Sequence, residues 1–260
     1  KDRPWLQQEA LRHAISYAVN RQTIVDTVYL GAPVPIFGPV TPGYGQWYLP
    51  DLPRTNPDPA RAKALLESIG LSDRTGDGML EDATGKPARF AILTDKGDVQ
   101  RERTAAIIQE QLRQVGLAVD IVTIDPPAIF ARYQKRDYDA IFFYAQVDST
   151  DPARTPEFWL SSGPLHFWHP MQGKPVTDWE KTIDDLMLRQ ATTLDRSERR
   201  RLFAEVQRVM SAHLPVLHFA APKVTLAISS RVRGAMPAVL NPPVLWNAEV
   251  LSVSPPSGSR

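Results

Sequence analysis

The chain has no cysteine, which excludes disulfides, thiolate metal sites and a cysteine nucleophile, and leaves reducing and oxidising compartments equally open. It has no excess of either charge. With 30 basic residues against 29 acidic ones, a formal net of +1, it lacks the sustained positive field that holds nucleic acid phosphates. No stretch approaches the roughly 20 consecutive apolar residues of a membrane helix. The Gly-x-Ser-x-Gly frame of a nucleophile elbow is missing around Ser161-Ser162-Gly163, and no Gly-x-x-x-x-Gly-Lys phosphate cradle occurs. Internal repeats and low-complexity tracts are lacking too. The chain opens on Lys1-Asp2-Arg3, without an initiator Met or the apolar core of a signal peptide, so a processed or excised piece is expected.

What is present is 260 residues, 43% of them hydrophobic, enough to bury a sizeable core as one large domain or two modest ones. Leu11, Ala14, Ile15, Ala18 and Val19 recur at helical spacing, which puts one apolar stripe on a helix that Gly31 would end. Residues 32 to 59 hold many of the 24 prolines together with Gly38, Gly43 and Gly45, so neither helix nor ladder can run far there, and Trp47 and Tyr48 must pack on something. Asp58-Pro59 reads as N-cap and first position of a helix closed by Gly70.

From Ala88 the pattern is regular: strand "ARFAILT", helix "DVQRERTAAIIQEQLRQVG", strand "LAVDIVTI", helix "PPAIFARYQKR", strand "YDAIFFYA". Strands alternating with helices of this length imply βαβ units, hence an α/β core with a parallel or mixed sheet. Two further helices follow, "TDWEKTIDDLMLRQATT" and "DRSERRRLFAEVQRVMSAH", the second with Asp195 and Glu198 in capping-box spacing. The basic run inside it reads as a solvated face. Strands "PVLHFA" and "KVTLAIS" and a Pro-rich tail from Arg231 complete the chain.

Ligands of open α/β sheets sit at the carboxyl ends of the strands. That edge would collect residues 94 to 98 (with Thr94 and Lys96), 125 to 127, and 146 to 152 (with Asp148 and Asp151). A carboxylate there can receive a ligand's ammonium group, the reading taken for Asp148, whereas Asp151 before Pro152 reads as a local cap. Lys96 is placed to meet a ligand carboxylate. Residues 73 to 84 resemble a calcium loop at Asp73, Thr75, Asp77 and Gly78, yet Thr84 stands where a bidentate Glu is needed, and a tight turn explains them better. His166 and His169 with Asp148 suggest a metal site only by residue type; aromatic packing of Phe167 and Trp168 beside incidental histidines is the preferred reading. His13, His213 and His218 read as satisfied structural groups.

Taken in order, "LRHAISYAVNRQTIVDTVYLGAPVP", "GPVTPGYGQWY", "PDPARAKALLESIG", "DRTGDGMLEDATGKPARFAILT", "IIQEQLRQVGLAVDIVTID", "YDAIFFYAQVDSTDP", "RSERRRLFAEVQRVMSAHLPVLHF" and "VRGAMP" resemble the family 5 extracellular solute-binding proteins, the peptide, oligopeptide and nickel binders of ABC importers. The resemblance covers nearly the whole chain. It implies an α/β, periplasmic-binding-protein-like lobe of a type II clamshell, a mixed sheet flanked by helices. Residues 1 to 230 would be the second lobe, and residues 231 to 260 a segment returning to a first lobe that the chain lacks.

In peptide-binding members the strand ends in Trp-Gly-Ala-Asp-Tyr-x-Asp-Pro or similar, whose first acid, matching Asp148, receives the ligand's α-ammonium group. Ala145, Val147 and Ser149 depart from that motif, and Tyr144 stands where it could supply the lost aromatic surface. The implied function is capture of a short peptide, with no catalysis, no cofactor and no metal, at a periplasmic or extracytoplasmic location. Delivery would be to an ABC permease, with membrane association through that permease or a lipid anchor. A nickel complex or an oligosaccharide is the alternative ligand, and a metal-dependent hydrolase the alternative of another class.

Overall fold

Asn20 divides the first helical stretch. The apolar stripe predicts one helix to Gly31, but in the computed structural model, which describes residues 3–144, 150–170, 172–223, 225–238 and 242–255, it forms two: α1 (Glu9–Ala18) and α2 (Arg21–Tyr29). Val19 is extended, and the Asn20 side chain accepts the Thr23 N–H at 3.2 Å, capping α2. Periodicity alone hides such a break, because Val19 is buried on both readings.

Helix α3 (Pro59–Ser68) starts as expected, with Asp58 accepting the Arg61 N–H at 2.9 Å and Pro59 at the first position. The central unit follows: β2 (Arg89–Asp95), α4 (Val99–Arg113), β3 (Ala118–Ile124), α5 (Pro126–Lys135) and β4 (Ala140–Ile141). The sheet order is β3-β2-β4 and every pairing in it is parallel. Antiparallel pairing occurs in two small sheets, β1 (Val34–Pro35) with β5 (Ala220–Ala221), and β6 (Val232–Arg233) with β7 (Ser252–Val253).

Three expected strands are much shorter than their apolar runs. β4 covers two of the residues from 138 to 145, extended only by the Phe142 N–H donating to Leu93 O at 2.8 Å. β5 covers two residues of 215 to 221, and 225 to 229 form no strand. Apolar runs lack a ladder where no neighbouring strand supplies one; Pro35 offers β5 no donor, and Pro222 ends it.

There are two apolar cores among the described residues. The first joins α1, α2, α3 and α4 to Phe90, Ile92 and Val119. The second joins α7 (Asp178–Thr192) and α8 (Arg196–His213) to the short helix α6 (Pro156–Trp159) and to Val40 and Trp47 of the proline-rich loop. Trp47 is what anchors that loop: its ring packs edge-on against Phe203, its carbonyl accepts from Gln207 Nε2 at 2.8 Å, and its Nε1 donates to Thr150 O at 2.9 Å. The expected capping box on α8 is half formed, since Asp195 accepts the Glu198 N–H at 2.7 Å but the Glu198 carboxylate turns to Arg201. The complete box opens α7, between Thr177 and Glu180.

α1 and the end of α8 join the cores. Arg12 donates to His213 O, His13 Nε2 lies 3.0 Å from Ala212 O, and His213 Nδ1 lies 2.9 Å from Glu9 Oε2, so the last carbonyls of α8 are satisfied from α1. Arg21, 4% exposed, makes a second joint. Its Nε donates to Ile36 O and His218 O, its Nη1 and Nη2 to Ser16 O and Oγ, and its guanidinium lies 4.8 Å from the Phe37 ring centre. Burial pushes it down to about 10, still far above neutral pH, so the charge persists.

The neighbouring His218 is held down to about 4, first by desolvation and then by the Arg21 charge. Below its ordinary value near 6.5 the unfolded chain takes a proton that the folded chain refuses. Its contribution is therefore complete above pH 6.5 and is lost as pH falls towards 4, by about 3 kcal/mol. Denaturant titrations across this window should show that loss in the parent protein and a shallower one in His218→Gln; equal slopes would refute the assignment. A second expectation concerns Gly163, where a Cβ would run into the backbone of Glu157: Gly163→Ala should cost about 1–3 kcal/mol in the same titration.

Candidate functional site

The parallel sheet brings three strand ends to one edge. β2 and β3 are in register from Arg89 opposite Ala118 to Asp95 opposite Ile124, and Lys96 N–H continues the ladder onto Ile124 O at 3.0 Å. Leaving β2, the chain turns through Gly97, with φ of +86°, into the Asp98 cap of α4. Leaving β3, it enters α5 directly through Asp125-Pro126-Pro127. Because β2 lies between β3 and β4, the two connections leave this edge in opposite directions, the topology at which open α/β sheets form a crevice.

The sequence-derived site residues fall unequally on this edge. Lys96 is exposed beside β3, and Tyr144 is 53% exposed just beyond β4. Thr94 is fully buried, and its Oγ1 has no hydrogen-bond partner. Its side chain supports the edge from within the structure. Asp148 lies outside the described residues, as do Ala145, Val147 and Ser149. The described chain on either side is held: Phe142 joins the ladder, and Thr150 O accepts from Trp47.

Charge at the edge is partly spent internally. Arg101 pairs with both Asp95 and Asp98, the latter at 3.0 Å, and Gly97 N–H donates to Glu102 at 2.9 Å. Asp151 is a cap, as its place before Pro152 predicts, accepting the Ala153 N–H at 2.9 Å; it also pairs with Arg199 at 2.7 Å. Asp73 accepts from Gly76 and Gly78 N–H at 2.7 and 2.9 Å, the geometry of a tight turn.

His166 and His169 both point at Glu180. Glu180 Oε1 lies 3.2 Å from His166 Nε2 and 2.7 Å from His169 Nδ1, while Oε2 accepts from Val176 N, Thr177 N and Thr177 Oγ1. Burial alone would raise this carboxylate; the donors on it, His169 foremost, outweigh burial and hold it at about 2. The residues of the hydrolase reading are thus engaged separately, Asp151 by Arg199 and the histidines by Glu180, with Asp148 outside the described residues. Among the described residues no group of three or more His, Cys, Asp or Glu is arranged to hold a metal ion. Sequence reasoning missed Glu180, Arg199 and Arg21. The Thr177-x-x-Glu180 spacing was a readable signal for the first; the two arginines carry none, because Ile36 and His218 lie 15 and 197 residues from Arg21, and Asp151 lies 48 from Arg199.

An aromatic chain connects the two sides of the edge. Tyr133 of α5 stacks with Phe130 and Tyr138 and meets Phe167 edge-on; Phe167 also packs against Phe143 at 4.7 Å and Phe158 at 5.9 Å. Phe142 turns the opposite way, into the first core against Phe219. The strand exit is therefore gripped from both faces.

Known proteins share this fold. The sequence pattern of the bacterial extracellular solute-binding proteins, family 5 (Middle), matches residues 1–166. A probable ABC transporter-binding protein of Deinococcus radiodurans is 25% identical over 86% of this chain and 39% of its own length. The oligopeptide-binding protein AppA of Bacillus subtilis is 24% identical over 88% of this chain and 41% of its own. Its structure with a nonapeptide superposes with a TM-score of 0.77 at 22% identity, covering 96% of this chain and 48% of that one. NikZ of Campylobacter jejuni, in complex with Ni(L-His), gives 0.77 at 20% identity, covering 96% and 50%. The chain thus spans at most half the length of these relatives. With its family pattern running over most of the chain and its α/β fold shared with clamshell proteins, the chain belongs to the family 5 bacterial extracellular solute-binding proteins.

Proposed function

We propose that this chain is one lobe of the substrate-binding component of an ABC importer, which captures a short peptide between two lobes and passes it to a membrane permease without chemical change. The observation that carries this reading is the crevice edge of the parallel sheet, where β2, β3 and β4 deliver Lys96 and Tyr144 and where the chain runs on to Asp148. Asp148 receives the peptide's ammonium group, Lys96 a carboxylate and Tyr144 an apolar face. Thr94, buried near the end of β2, keeps that end in place. Relatives named for oligopeptide binding support a peptide, and the family's extracellular description supports work outside the cytoplasm.

Residues 1 to 230 form the second lobe in this reading, and residues 231 to 260 return to the first. Support comes from the tail's own structure: β6 pairs with β7, Arg231 Nε donates to Ser254 O, and Asn247 Nδ2 donates to Gly234 O. Met236, Leu245, Trp246, Val250 and Val253 are left exposed, an apolar surface suited to a partner lobe. A nickel complex is the second reading of the ligand, favoured by the departures at Ala145, Val147 and Ser149 from the peptide motif and by the Ni(L-His) complex of NikZ.

Closure around the ligand would desolvate the contact between Asp148 and the ammonium group, and removing one partner of such a pair costs about 2–5 kcal/mol. In the full-length protein containing this chain, peptides with a free amino terminus should raise the melting temperature and acetylated ones should not. Asp148→Ala should lose the response. Stabilisation by nickel chelates alone would discard the peptide.

A further inference from the structure

Two side chains far apart in sequence meet at the chain that follows the ligand edge. Trp47 is buried, and the Arg199 guanidinium lies over its ring, 5.3 Å from the ring centre. Each grips one of two consecutive residues. Trp47 Nε1 donates to Thr150 O at 2.9 Å, and Arg199 Nη2 donates to Asp151 Oδ1 at 2.7 Å. The same Oδ1 accepts the Ala153 N–H at 2.9 Å, and Pro152 beside it is buried. Arg199 Nε donates in turn to Gln190 O at 3.0 Å, so the planar fork serves two acceptors at once, a geometry that a lysine cannot copy.

Both grips are rooted in the second core. Gln207 bonds the backbone on either side of Tyr48, donating to Trp47 O at 2.8 Å and accepting the Leu49 N–H at 3.2 Å, and the Trp47 ring packs edge-on against Phe203 of α8. The other end of the segment is attached elsewhere, since the Phe142 N–H donates to Leu93 O of β2 and Phe143 packs on Phe167. Six residues, 144 to 149, lie between Phe143 and Thr150. The sheet therefore fixes where this segment starts, and the second core fixes where it ends. A binding group is only as well placed as the shell that supports it, and fixing its chain beforehand removes an ordering cost from ligand capture.

We propose that Trp47 and Arg199 are positioning residues of the candidate site: with the guanidinium lying over the indole, they clamp Thr150 and Asp151 to the second core and so set where the segment that carries Asp148 ends. The clamp rests on the reading of Asp148 as the receptor of the ligand's ammonium group. It gives the proline-rich loop and α8, neither of which supplies a proposed ligand contact, a share in ligand affinity.

The test uses the full-length protein and two readouts. Without ligand, hydrogen exchange is followed over residues 150 to 155, where the Ala153 and Arg154 amides bond back to Asp151. With ligand, Kd is measured by calorimetry for trialanine and for trialanine amide, which lacks the carboxylate assigned to Lys96. Trp47→Phe keeps a ring against Phe203 and loses the donor to Thr150, whereas Arg199→Lys keeps the charge and loses the fork. Each should speed exchange in the segment and weaken trialanine binding about tenfold. The ratio of the two Kd values should stay at its parent value, because Lys96 is held by the β2–β3 ladder. Arg201→Lys, on the same helix but paired with Glu198, should move neither readout. Faster exchange with trialanine affinity unchanged would overturn the positioning role, as would parental exchange in both clamp variants. A collapsing Kd ratio would overturn it too, since that marks general loosening of the site. A parent protein that binds neither peptide would discard the peptide reading, and the clamp would then stand or fall on exchange.

Discussion

Strand β2 is paired in parallel on both sides, to β3 and to β4, and a strand so placed can leave neither face in water. The rest of the architecture follows from covering it. Phe90 and Ile92 look into the core built by α1 to α4. Leu93, on the alternate face, is equally buried, as are Ile129 and Tyr133 of α5 outside that core. The aromatic chain from Tyr133 through Phe167 to Phe158 carries this second cover onto α7 and α8. One face of the sheet is covered by the first core and the other is met by α5, and the candidate site stands at the carboxyl ends of the strands.

Arg21 and Glu180 are both buried, and their surroundings manage them differently. Arg21 is surrounded by carbonyls, a hydroxyl and aromatic rings, so its charge is spread over partial dipoles that no change of pH can remove. Glu180 is met by two imidazoles, three donors from residues 176 and 177, and the start of its own helix. Titratable rings thus stand at the second site where fixed dipoles stand at the first. Both serve the same purpose, fixing irregular chain against a helix where backbone ladders are short.

The βαβ unit was legible because local signals agreed: Asp98 and Asp125 precede helices, Gly97 turns the chain, and the strand residues are β-branched or aromatic. Family resemblance, too, was legible from ordered motifs, and the family pattern bears it out. The break at Asn20 was not, since an N-cap inside an apolar stripe changes no periodicity. Nor were the short ladders at β4 and β5, whose length is set by partners far along the chain. At the site, exposure of Lys96 and Tyr144 agreed with their place in loops, whereas Thr94 ended the same strand facing inward; the period of two decides that, and proximity to the edge does not.

The contacts of Glu9, Arg12 and His13 with Ala212 and His213 join residues 199 to 204 positions apart. Loop closure over such a span is slow to reward the chain for its lost freedom, so these contacts belong to the last events of folding. A nascent chain leaving the ribosome would have α1 exposed, its Glu9-Arg12-His13 face unmatched, until α8 was complete. The two cores can therefore form in sequence but can be locked together only after nearly the whole chain has been made.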